Sequence, residues 1–171
     1  MSEVGLSGAD IRRYLEEVAA ELPQGSGHTV IMVGGSLLAW HGLRASTHDV
    51  DTLLPVSESL HDAVARVGRR HGLDPAWLND RARAFRPHTL REEDCDVLVD
   101  HPALRVLGAP LEQLFLMKLE AARSTDVADL AALWPRCAFA SAQEAADLYY
   151  QAYPLARRDD HLTEFIEKIT R

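Results

Sequence analysis

The chain has 171 residues, 47% of them apolar and 26% charged, with a formal net charge of −8. That length supports one ordinary domain with a core. No stretch approaches the roughly 20 apolar residues of a membrane span, and the acidic balance argues against a broad basic surface that coats nucleic acid. The two cysteines, Cys95 and Cys137, offer neither a disulfide framework nor zinc-ligand spacing. The start, Met1-Ser2-Glu3-Val4-Gly5, lacks the basic and apolar regions of a secretory leader, so the expected setting is cytoplasmic, with no membrane partner. The eight histidines are scattered and show no metal-binding pair.

In chain order, Ser7-Gly8-Ala9-Asp10 reads as a helix cap, and Ile11, Tyr14, Leu15, Val18 and Leu22 follow at helical spacing. Turn residues from Pro23 to Gly27 end that helix, and His28 to Val33 is the first strand. Leu37 to His41 is a short apolar helix stopped by Gly42, and Val50 to Leu54 is the second strand. Ser57 caps a helix from Glu58 to about His71, ended by Gly72. Pro75 to Arg81 reads as a short helix carrying Trp77 and Leu78. Asp96 to Val99 and Leu104 to Leu107 are β-rich runs, either a hairpin or two successive strands. From Pro110 onward the pattern is helical, with breaks near Ser124, Pro135-Arg136 and Pro154. The expected class is α+β: a mixed sheet flanked by helices over 1–108, and a helical region over 109–171 packed on it as one unit.

Two stretches carry chemistry. Val30-Ile31-Met32-Val33 runs straight into Gly34-Gly35-Ser36, where glycines let backbone approach a phosphate and Ser36 adds a hydroxyl. Thirteen residues after Ser36, Asp49-Val50-Asp51 places two carboxylates on one face of a strand, because side chains alternate with a period of two. Paired acids attract a hard divalent cation such as Mg²⁺ (or Mn²⁺), which can also hold nucleotide phosphates. The pattern points to phosphoryl or nucleotidyl transfer from an NTP. It is not a dinucleotide-binding unit, since Gly34-Gly35-Ser36-Leu37-Leu38-Ala39 lacks the GxGxxG spacing.

The glycine turn, the short helix and the Asp-x-Asp strand resemble the nucleotidyltransferase superfamily with a DNA polymerase β-like core. The segment from Gly34 to Asp51 is most similar to small bacterial AbiEii-type toxin nucleotidyltransferases and their relatives, and Leu114 to Leu130, with Lys118, Arg123, Asp126 and Asp129, is a second match. The resemblance implies that Asp49 and Asp51 hold Mg²⁺ and the triphosphate and that Gly35 and Ser36 cradle phosphates beside Gly34. It implies further that Lys118 reaches the carboxylates and offsets charge on the phosphates, and that Asp126 or Asp129 orients it or the acceptor hydroxyl. A third carboxylate is expected on a later strand; among Asp94, Asp96 and Asp100, Asp96 opens the apolar run and is the choice. The implied acceptor is RNA, such as a tRNA end, or a protein, in a toxin–antitoxin setting with an antitoxin as possible partner. A small-molecule adenylyltransferase of the antibiotic-modifying kind and a non-catalytic nucleotide-binding module are the alternatives.

Several of these residues have ordinary roles too. Ser124-Thr125-Asp126 is a good helix cap. Lys118 can snorkel from a buried face, although it shares a stripe with Leu111, Leu114 and Phe115. Arg44 either guides phosphates or pairs with Asp49 or Asp51. Arg66, Arg69, Arg70, Arg81, Arg83 and Arg86 read first as a solvated face. Trp40, Trp77 and Trp134 read as core, and Tyr149, Tyr150 and Tyr153 read first as packing residues of a late helix, with stacking on a base as the alternative.

Overall fold

A computed structural model describes residues 4–121 and 126–171. Among them are seven α-helices and a five-stranded mixed sheet, an α+β architecture. The chain divides into two compact units, Met1–Ala84 with Cys95–Ala109, and Phe85–Asp94 with Pro110–Arg171. No helix among the described residues is long and apolar enough to cross a membrane.

The first unit is built on β1 (His28–Val33), β2 (Val50–Thr52), β3 (Leu78–Asn79), β4 (Asp96–His101) and β5 (Leu104–Gly108). Their order across the sheet is β3-β2-β1-β5-β4. The central β1 runs antiparallel to β2 and parallel to β5, and Val30, Ile31, Met32 and Val33 are all fully buried. Successive side chains point to opposite faces, so a run in which every one is buried has no polar face to keep wet, which is why it reads as continuous rather than alternating. β4 and β5 form the hairpin alternative, with a register shift between Val97 and Val99.

Three helices belong to this unit: α1 (Gly8–Glu21), α2 (Gly34–Trp40) and α3 (Glu58–His71). Both longer ones start at their expected caps. The Ser7 hydroxyl accepts from the Asp10 amide while the Asp10 carboxylate accepts from Ser7, satisfying donors the helix leaves open. Ser57 caps α3, and Gly72 ends it in the left-handed region. The polar edges of α1 and α3 are laced together. Arg66 and Arg70 bond Glu21 and Glu17, and His71 both bonds Glu17 (2.8 Å) and stacks on Tyr14 at 4.3 Å. The His71 bond, more than the Arg70 bond, holds the Glu17 carboxyl below the usual range.

Three local expectations need correction. Residues 75–81 are not a helix. Trp77 is buried with its indole donating to the Val64 carbonyl, and Val50 donates to the Trp77 carbonyl at 2.6 Å, so the backbone after it lies extended along β2 as β3. The second strand stops at Thr52, because the Thr52 hydroxyl takes the bonds of Ile31 (3.0 Å) and Leu54 (3.2 Å). The short apolar helix starts at Gly34, three residues before Leu37, with no loop after β1.

The second unit holds α4 (Leu111–Ala121), α5 (Asp126–Leu133), α6 (Ala142–Ala152) and α7 (Leu162–Thr170). Phe115 is its buried centre, with Trp134 at 5.5 Å and Phe139 at 5.3 Å. Residues 85–94 precede these helices in sequence yet group with them. His88 donates to the Ala152 carbonyl, Tyr153 to the Phe85 carbonyl, and Thr89 to Gln113. Of the tryptophans only Trp77 is fully buried; Trp134 is half-buried, as is Trp40, which lies under the Arg12 guanidinium at 4.2 Å. The proposed cap at Ser124-Thr125, and Arg123, lie outside the described residues.

Candidate functional site

In the first unit the candidate site gathers where β1 ends. Gly34 has φ +68, a conformation L side chains rarely adopt, and a Cβ there would stand 2.9 Å from the Asp51 Oδ2. At Gly35 a Cβ would stand 2.8 Å from Arg44 Nη1 and 2.9 Å from Thr47 Oγ1. The glycine turn thus brings a carboxylate, a guanidinium and a hydroxyl against bare backbone. Asp51 is opposite Val33 in the β1–β2 ladder, and fully buried Val50 points the other way. Asp49 stands just before β2 with the same parity as Asp51, and both are half-buried.

The structure adds two residues that the sequence reading did not assign. Asn79 is opposite Asp51 across β2–β3, is 8% exposed, and donates to Asp49 at 3.4 Å. Reading 75–81 as helical hid it. Thr47 is buried and is fixed by a two-way bridge to Leu6: Leu6 donates to the Thr47 carbonyl at 2.6 Å, and Thr47 returns the bond at 3.0 Å. No local pattern announces a bridge spanning that much chain.

Two expected participants stand differently. Ser36 is 1% exposed and its hydroxyl donates inward to the Val33 carbonyl at 2.8 Å, so its proton is committed to the backbone. Asp96 is exposed at the start of β4, where it pairs with Gly108; Gly108 pairs with Met32, and Met32 with Thr52. Three strand spacings, roughly 14 Å, separate it from β2, too far to share one ion with Asp49 and Asp51. Asp94 falls in the second unit, bonded to Arg91. Among the described residues no group of three or more His, Cys, Asp or Glu forms a metal cluster. Two carboxylates nonetheless fit Mg²⁺, which keeps waters and substrate phosphates for its other ligands.

In the second unit, Lys118 on α4 donates to both Asp126 (2.8 Å) and Asp129 (2.9 Å) on α5, with all three side chains 8–12% exposed. Asp126 and Asp129 are one helical turn apart, which lets both reach one ammonium. With two carboxylates on it, the lysine is part of a net-negative group, and phosphate would have to displace one of them. Nearby, the Tyr149 hydroxyl donates to Glu120. Burial first, then Glu120, pushes that hydroxyl above the ordinary phenol range, so it stays a donor. Cys137 is pushed up to about 12, chiefly by burial and then by Glu112, which removes it as a nucleophile.

Comparisons with protein-family models, with curated proteins and with solved structures found no match.

Proposed function

We propose that the chain is a Mg²⁺-dependent nucleotidyltransferase, moving a nucleotide from an NTP to an acceptor such as a tRNA end or a protein, in a toxin–antitoxin setting. The observation that carries this reading is the Asp51 carboxylate set directly against Gly34, with Asp49 on the same face. A nucleotide needs oxygen ligands for its metal and a cation for its phosphates in one place, and the two aspartates and Arg44 at this turn supply both.

Asp49 and Asp51 would hold the cation, with Asn79 steadying Asp49. Gly34 and Gly35 let Asp51, Arg44 and Thr47 close on the turn, so that metal-bound phosphate oxygens would meet the Arg44 guanidinium and its fork of N–H donors. The metal, when bound, supplies charge neutralisation for the triphosphate and its leaving pyrophosphate. An acceptor hydroxyl or amine then attacks the α-phosphorus in line. Its bond to phosphorus forms as the bond to pyrophosphate breaks, and its proton passes to a carboxylate or to water. The chain's share of catalysis is positioning and electrostatics. Lys118, Asp126 and Asp129 enter through the family resemblance, as a cation for the phosphates and the acids that hold it. The net charge of −8 favours a second reading, a small-molecule acceptor, over a long RNA.

The test is incubation with each α-labelled NTP, Mg²⁺ and either total tRNA, the protein itself or small-molecule acceptors. Label should pass to one acceptor class, vanish with EDTA, and fall on the order of a thousandfold in Asp51→Ala and Asp49→Ala. Calorimetry showing the same Mg²⁺-dependent NTP affinity in Asp51→Ala as in the parent chain would remove the metal-site reading.

A further inference from the structure

The second unit contains a cavity of about 600 Å³, walled by α4, α5, α6, α7 and the 153–161 loop. That is the size of a site for a small organic molecule. Its apolar lining includes the buried Leu119 and Leu130, and its rings are Tyr149, Tyr150 and Phe165.

The charges of this lining are unbalanced in one direction. Glu120 is half-buried, and among the described residues its carboxylate accepts the Tyr149 hydroxyl and pairs with no cation. Lys118 also lines the cavity, but its ammonium is already held by Asp126 and Asp129. Asp159 adds a further carboxylate, leaving Arg157 on the exposed loop as the other cation. The tyrosine faces favour positive charge as well, and one of them already does so within the chain: the Arg158 guanidinium lies 4.2 Å from the Tyr150 ring centre.

We infer that this cavity binds an organic ammonium ion with an apolar body. Its N–H groups donate to Glu120, its positive charge lies against the Tyr149 face, and its hydrocarbon or ring fills the space over Leu119, Leu130 and Phe165. A carboxylate or phosphate ligand would meet Glu120 and Asp159, with Lys118 already held by two aspartates and, among the described lining residues, Arg157 left to offset them. The cavity shares Lys118 and Asp126 with the residues named above, but the inference does not rest on the nucleotidyltransferase reading, because Glu120, Tyr149 and Phe165 take no part in it.

Three molecules of nearly equal shape test it on the full chain by calorimetry and ligand-observed NMR: 2-phenylethylammonium, neutral 2-phenylethanol and anionic 3-phenylpropionate. The ammonium should bind about tenfold tighter than the alcohol, and the carboxylate more weakly than either. Glu120→Gln, which keeps an acceptor for Tyr149, should erase the ammonium's advantage and leave the alcohol's affinity unchanged. Equal affinities for ammonium and alcohol, tighter binding of the carboxylate, or no ammonium binding at millimolar concentration would each overturn the proposal. So would an ammonium advantage that persists in folded Glu120→Gln. If that variant does not fold, the three-ligand comparison on the parent chain decides alone.

Discussion

Each unit contains a close pair of aspartates, and the two pairs are held in opposite ways. Asp126 and Asp129 lie one turn apart on a helix, nearly dry, sharing the Lys118 ammonium of the preceding helix. Asp49 and Asp51 lie two residues apart on extended backbone, half-buried, against a buried amide and two glycines. In the first case charge does the holding, so the cluster clamps α4 to α5. In the second the central strand sets the backbone that carries them, through its ladder and through fully buried Val50 and Val33. Acids placed by backbone can give up their charge without giving up the fold.

That contrast can be broken by equilibrium unfolding. The largest effect is expected from Lys118→Met, which takes the ammonium from two nearly buried carboxylates and should cost about 3 kcal/mol in urea titration. A variant as stable as the parent would mean the clamp holds nothing. Gly34→Ala comes next: a side chain at positive φ, pressed on Asp51, should cost about 1–2 kcal/mol and weaken NTP binding measured by calorimetry. Asp51→Asn keeps the shape and should change unfolding free energy by less than about 1 kcal/mol, even as transfer is lost. A larger cost would show that charge, not the strand, positions this pair.

The smallest effect concerns pH. Glu17 titrates below its ordinary value of 4.5 in the folded chain, chiefly through its bond to His71. Its contribution to stability is therefore complete above that value and is lost as pH falls through the lower, folded one. Thermal melts of Glu17→Gln should show a shallower decline on the acid side than the parent. A decline of the same steepness would assign acid sensitivity to other carboxylates.

Elements governed by their own residues were legible in the sequence. β1 and α3 run between the residues expected, His28–Val33 and Glu58–His71, because a buried β-branched run and a Ser57/Gly72 pair of caps are local signals. β3 was not, since two residues carry no periodicity, and what extends them is the burial of Trp77 and one bond from Val50. At the candidate site, the face shared by Asp49 and Asp51 follows from parity alone. The inward hydroxyl of Ser36, the distance of Asp96 and the presence of Asn79 and Thr47 depend on strand order and on bonds between distant segments. Residues 85–94 show the same limit, since bonds to α4 and α6 decide which unit they join.

The bridge between Leu6 and Thr47 has a practical consequence. It ties the start of the chain to the loop whose Thr47 hydroxyl rests over Gly35. Proteolytic clipping past Leu6, or a bulky fusion that tugs on it, would slacken this corner while the sheet beneath stays intact. Anchoring the protein to a sensor surface through its first residues would load that tether directly. A loss of NTP binding on clipping past Leu6, with the sheet still folded, would have its origin in these two hydrogen bonds.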